Sequence, residues 1–586
     1  MNWDLSKLYS GFDDAQLAAD TSAAFEKLSA VRGAIAALPG AHPEEALASV
    51  LQSMQEIADL QYKIASFTYL TLAADANCEP ARAFFDRVME LDIQWRQTHS
   101  ALSRFLGNAV ELDAWIDAHP VLKAHAYWLR ELKKAAVHVI DPALEPVVLK
   151  MQTTGGSSWE QLRDQLDSNL MIPFEVDGET KSLPLSAIRG LANSASAEVR
   201  RRAYEAEIAA YPRIEIPMAA CLNGIKGEAL TLIQLRNYET VLDSALDVSR
   251  MDHETLDALL GAMQDSLPMF RKYFRLKAKL LGYEGGLKFY DLFAPVGECA
   301  QHYTLEEARR TLVEVMGRFS GRMAALIDRA FEERWIDAYP REGKQGGAFC
   351  YGVHPLRMSY VLSNFEGSYS SLSTLAHELG HAYHDSCLYD VSALLCDYPM
   401  PLAETASIFN ETLLMEKTLE GADDRTKITL LEQQISDSAQ IVVDILSRFL
   451  FEKEVIERRK DHTLSPRELC QIMLDAQRQT YGDGLDPDCM HPYMWACKSH
   501  YYSTGIHFYN FPYAFGQLFA LGVYAKYLEQ GDAFLPEYDR LLAASGSGSV
   551  REVAASVGID VADKNFWMQS LATIRQKIEQ FERLVG

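Results

Sequence analysis

Apolar residues recur at three- and four-residue spacing through residues 15–37, 43–72 and 80–106, with charged residues between them. That period matches the 3.6-residue turn of an α-helix and gathers the apolar side chains on one stripe, which must be buried against a neighbour. A chain patterned this way packs helix on helix. Helix-start signals recur further along. Thr304-Leu305-Glu306-Glu307 has the form of a capping box, and Ser465-Pro466-Arg467-Glu468 sets Pro at the first helical position. Strand patterns are confined to two places. Residues 172–176 and 181–183 flank Asp177-Gly178, a pair favoured in tight hairpin turns. Residues 359–365 form the other, closed by the turn Glu366-Gly367-Ser368. The expected fold is mainly α, with a small β-sheet. An N-terminal helical region, residues 1–185, precedes a second region, residues 186–586.

The 586 residues carry 56 Lys+Arg against 81 Asp+Glu, a net charge of −25. A surface so acidic repels phosphate backbones and anionic lipid, and no basic run offsets it, so neither nucleic acid nor a membrane surface is expected as a partner. Met1-Asn2-Trp3-Asp4-Leu5-Ser6 lacks the basic and apolar stretches of a signal peptide. The nine cysteines form no CxxC pair. They read as reduced thiols, and the expected location is cytoplasmic.

Residues 372–388 read as a helix containing His377-Glu378-Leu379-Gly380-His381. Residues four apart lie on one helical face, so both imidazoles reach one cation. Leu372, Leu375, Ala376, Leu379 and Ala382 form a separate apolar stripe that buries the helix. Glu378 projects beside the histidines, where a carboxylate takes a proton from metal-activated water. Two histidines leave zinc short of the three protein ligands usual in a catalytic site. Residues 401–411 read as a second helix, carrying Glu404 near its start and Glu411 seven residues on, on the same face. One of these carboxylates can ligate while the other accepts an imidazole N–H. The pattern HExxHxxGxxH is excluded, because His384 stands where Gly is needed and Cys387 where His is needed.

With these residues in place the sequence resembles the oligoendopeptidase F branch of the thimet-oligopeptidase-type zinc peptidases. The resemblance is carried by Trp3-Asp4-Leu5-Ser6-Lys7-Leu8-Tyr9, by Tyr290-Asp291-Leu292-Phe293-Ala294-Pro295 and by Gly347-Ala348-Phe349-Cys350. It is densest over Ser373 to His384, Glu404-Thr405-Ala406-Ser407 and Phe409-Asn410-Glu411. It implies a helical, clam-like body with a deep channel that cleaves short oligopeptides internally. It also implies that residues 186–586 form the catalytic region, with the lobes of the channel open to segments of both regions, one Zn2+ held by His377, His381 and Glu404, and Glu378 as the base. The alternatives are a non-catalytic peptide-binding protein on the same scaffold and an exopeptidase such as a dipeptidyl carboxypeptidase.

A third cluster, residues 491–515, is dense in His and aromatic residues. The resemblance implies a His and two Tyr here that donate to the carbonyl oxygen and to the substrate backbone. The expected donors are His500, Tyr502 and Tyr509, the two tyrosines two turns apart on a helix, with His507 and Tyr513 as substitutes. The strand of residues 359–365 is expected to run along the metal helix and to offer a free edge to an extended peptide.

Overall fold

The computed structural model describes residues 1–38, 42–141, 143–176, 178–297 and 301–586. It is 72% helical, with two small sheets. No described helix is long and apolar enough to cross a membrane. The chain divides into two units, each assembled from three separate stretches.

The first unit comprises Met1–Val139, Ala300–Glu420 and Val523–Ile559. It opens with α1 (Ala15–Ala37), α2 (Pro43–Ala74) and α3 (Glu79–Gly107), which pack on one another. The Asp14 side chain accepts the Gln16 N–H to start α1, and Leu17, Thr21, Ala24, Leu28, Val31 and Ile35 form its buried stripe. The Thr304 capping box forms as expected, opening the helix Leu305–Phe319. The sheet of this unit has three strands in the order β3 (Ile336–Asp337), β5 (Met358–Leu362), β4 (Phe349–Val353), β3 parallel and β4 antiparallel to β5. All five residues of β5 are buried, and the helix Tyr369–Leu388 packs against β4 and β5. The expected free edge is therefore corrected. β5 is central, paired with β3 at Val361 and Leu362 on one side and with β4 on the other, and all five of its residues are buried.

The second unit comprises Ile140–Cys299, Gly421–Gly522 and Asp560–Gly586. The hairpin of β1 (Met171–Val176) and β2 (Glu179–Pro184) pairs Met171 with Pro184 through to Val176 with Glu179. Gly178 in its turn has φ +80°, while Asp177 lies outside the described residues. The core draws on Leu222 and Ile225 from the helix Glu215–Leu235, Phe451 and Val455 from Ile445–Arg459, and Ile472 from Pro466–Tyr481, with Tyr501 and Tyr502. The Ser465 capping box forms here. The eight described cysteines of the chain are free thiols, and Cys299 lies outside the described residues.

Candidate metal centre

The helix Tyr369–Leu388 starts where the Ser368 side chain accepts the Ser371 N–H. Leu372, Leu375, Ala376, Leu379 and Ala382 are fully buried, and this fixes which way the polar face turns. Gly380 lies against the segment that carries Glu404. A Cβ at Gly380 would sit 2.6 Å from Ala406 O and Ser407 Cα, so the two backbones touch only because the side chain is missing. Asn410 Nδ2 reinforces the approach by donating to Ala376 O at 3.2 Å.

Glu404 does not lie inside a helix. The expected single helix over residues 401–411 is broken into Met400–Ala403 and Thr405–Gly421, and Glu404 sits at the break with φ −85° and ψ 5°. The break turns its carboxylate toward the histidines. Glu404 Oε2 lies 3.3 Å from His377 Nε2 and 3.5 Å from His381 Nε2, and the two Nε2 atoms are 3.2 Å apart. Ser407 Oγ donates to the same carboxylate oxygen at 2.7 Å. On the far side of His377, Nδ1 bonds Glu411 Oε1 at 2.5 Å, and Ser373 Oγ donates to Glu411 Oε2 at 3.4 Å.

The three groups fit a metal. Their ligand atoms lie within 4.8 Å of one another, the only such set among the described residues. Two imidazole nitrogens and a carboxylate oxygen are a donor set that suits zinc and leaves a position open. Each side chain stays about one-fifth to one-quarter exposed, at 26% for His377, 19% for His381 and 25% for Glu404.

Electrostatics sort these groups. Burial opposes charge on His377, yet bonds from Glu404 and Glu411 raise its pKa to about 10. Burial lowers His381 to about 4. Burial also opposes ionisation of Glu404, but His377, His381 and Ser407 together hold it down at about 2. Glu378 goes the other way. Burial, with Glu404 and Glu411 nearby, raises it to about 7 against the pull of His377. Glu378 is 6% exposed and has no hydrogen-bond or ion-pair partner among the described residues.

His384 faces away from the centre, stacked on Tyr398 at 4.2 Å and bonded to Ser545 Oγ at 2.9 Å. Ser373, Ser407, Asn410 and Gly380 support the centre although the HExxH pattern does not single them out. Ser373, one turn before His377 on the same face, was open to the same four-residue argument as His381.

In the second unit the expected donors part company. Ser499–Tyr502 is a short 3-10 turn, residues 503–510 are irregular, and the next helix begins at Phe511, so Tyr502 and Tyr509 do not share a helix. Tyr502 is fully buried in the core beneath the Arg163 guanidinium, 5.4 Å from its ring centre, with its hydroxyl sealed. His500 Nε2 is likewise sealed. Tyr509 and Tyr513 are half-buried, and the Tyr513 hydroxyl donates to that of Tyr509 at 2.9 Å. Buried without a partner, the Tyr502 hydroxyl and His500 Nε2 are shielded from solvent in this structure.

The profile of peptidase family M3 matches residues 191–573, and that of Oligopeptidase F matches residues 108–171. An oligoendopeptidase F homologue of Lactococcus lactis is 25% identical over 602 aligned positions, covering 100% of this chain and 97% of that protein. A solved protein from Chlamydophila abortus superposes with a TM-score of 0.86 at 22% identity, covering 100% of this chain and 98% of the other. An oligoendopeptidase F structure from Enterococcus faecium gives 0.70 at 19% identity, covering 96% and 98%. With the profile match spanning more than half of its length, the chain belongs to peptidase family M3.

Proposed function

We propose that this protein is a zinc-dependent endopeptidase that hydrolyses internal bonds of short oligopeptides. The observation that carries the reading is Glu378, a buried carboxylate with no partner of its own beside three groups that can share one cation. A protein that only binds peptides has no use for an uncommitted base at that place. Membership of family M3, and relatives named as oligopeptidases, support the substrate class.

Zinc bound there would supply Lewis acidity toward a carbonyl and a water near neutral pH. His377, His381 and Glu404 would hold it, while Glu411 fixes the His377 ring and Ser407 fixes the Glu404 carboxylate. Glu378, with its pKa raised to about 7, takes the proton of the attacking water and passes it to the leaving nitrogen. Of the His and Tyr donors that the resemblance implies, His507 and Tyr509 keep a polar atom open, the Tyr509 O–H being left free by the Tyr513 bond.

The test is cleavage of a quenched peptide blocked at both ends, with product masses recorded. Internal cuts that stop with a chelator and return with zinc support the reading. Cleavage only of peptides with free ends would make it an exopeptidase, and tight binding without turnover would make it a binding protein.

A further inference from the structure

We propose that Lys226 is a positioning residue for His507, holding its ring as a neutral imidazole that accepts at Nδ1 and offers its Nε2–H as a donor. The inference rests on the reading of His507 as a donor above and explains how the ring is prepared for it.

Lys226 lies on the helix Glu215–Leu235, and its Nζ donates to Glu452 Oε1 at 2.7 Å, each side chain 1% exposed. An ammonium this deeply buried needs a paired charge and filled hydrogen bonds. Glu452 supplies the charge with one oxygen, while its Oε2 has no partner. The ammonium also faces His507 Nδ1 at 3.4 Å. Lysine has donors only, so Nδ1 must carry the lone pair and the ring proton sits on Nε2. No described group bonds Nε2, and unlike His500 Nε2 it is not sealed. The same ammonium, together with burial, opposes a second positive charge on the ring. The charged groups facing this imidazole are Lys226 from one helix and, behind it, Glu452 from the helix Ile445–Arg459.

Phe508, the residue after His507, has φ +52°, a left-handed conformation that a bulky side chain rarely adopts. Its ring is 3% exposed and packs 5.3 Å from Phe449, on the same helix that carries Glu452. Such strain persists only where the surroundings over-determine it. His507 is thus held through its backbone by Phe508 and through its ring by Lys226. Neutralising Glu452 alone would account for the 2.7 Å bond, but not for the ammonium facing a second group, nor for the strained residue beside that group.

The experiment uses the full-length, zinc-loaded protein with isotope-labelled histidines, the His507 resonances being assigned with His507→Gln. In the wild type the ring should remain neutral, protonated on Nε2, without titrating between about pH 5.5 and 8. In Lys226→Met/Glu452→Leu, which replaces the buried pair by apolar groups, burial still opposes charge, but the ring should lose its single tautomer and show a mixture of Nδ1–H and Nε2–H forms. Turnover should fall roughly tenfold or more, with KM and zinc content nearly unchanged. Lys226→Gln, expected to change in the same direction, serves if the double variant fails to fold. A His507 that titrates at the ordinary histidine value in the wild type, or that is unaltered in both variants, overturns the proposal. A tautomer released as expected with turnover unchanged keeps the Lys226 linkage and instead removes His507 from the donor role.

Discussion

His377 Nδ1 lies 2.5 Å from Glu411 Oε1, and this bond determines which side of the imidazole is left for a cation. With its Nδ1–H committed to a carboxylate, the ring presents Nε2 to the space it shares with Glu404 Oε2, 3.3 Å away. Ser373 steadies the second Glu411 oxygen from one turn earlier on the same helix. Removing this support should loosen the metal without abolishing it. Glu411→Gln is expected to weaken zinc binding about 10- to 100-fold, and Glu404→Ala to weaken it further. Zinc retained against a graded series of chelators ranks the two, and the reverse order would exchange their roles.

Gly380→Ala tests the close approach that brings Glu404 to the histidines. The new Cβ would meet Ala406 O and Ser407 Cα at 2.6 Å, backbone atoms that cannot swing aside. Overpacking of this kind costs about 1–3 kcal/mol. Because relief requires the two segments to separate, zinc affinity should fall together with Tm. Calorimetry with and without zinc reads both, and a variant unchanged in either would contradict the packing argument.

What was legible in the sequence follows from which signals are local. The 15–37 stripe matches α1 residue for residue, because an amphipathic period with an Asp cap leaves one solution. His377, Glu378 and His381 were legible because four-residue spacing on a helix is itself geometry. Glu404 was legible as a residue type but not in its conformation: nothing in Pro401 to Glu411 announces that the helix breaks at the ligand. The segment 503–510 defeated helical reasoning for a related reason. Its aromatic residues suit a helix stripe, yet Phe508 is drawn into the core in a left-handed backbone. Nor does local period say which distant stretches share a unit, so the three-part construction of each unit was not legible.

Arg200 and Asp291 make a buried pair in the second unit, Nε to Oδ1 at 2.6 Å with the side chains 3% and 0% exposed. Arg200 also donates to the carbonyls of Ser194 and Ala195. Arg200→Ala leaves a buried carboxylate without its cation and should destabilise by about 3–5 kcal/mol. Urea midpoints measure the loss. The double variant with Asp291→Ala should recover part of it, and strict additivity of the two changes would show that the pair is not coupled.

Glu207 predicts an acid limb of stability. Burial opposes its ionisation, but His491, Arg189 and Tyr211 outweigh that and hold the carboxyl at about 2, below the ordinary 4.5. A folded pKa below the unfolded one stabilises fully above the unfolded value, and the stabilisation is lost as pH falls through the folded value. Wild-type stability should therefore drop between pH 4.5 and about 2, and Glu207→Gln should be weaker at neutral pH but flatter across that window. Urea titrations at stepped pH check this; parallel curves for the two proteins would contradict it.

The central claim is that Glu378 is the base and not a ligand. Glu378→Gln keeps the shape of the side chain and leaves His377, His381 and Glu404 untouched. Single-turnover cleavage of a blocked peptide, on preparations whose zinc content and peptide affinity are measured in parallel, tests this most directly. Zinc and affinity should stay close to wild type, with the cleavage step slowed by ~10²-fold or more, the scale of a lost general base. Near-normal cleavage by Glu378→Gln, with zinc in place, would contradict it.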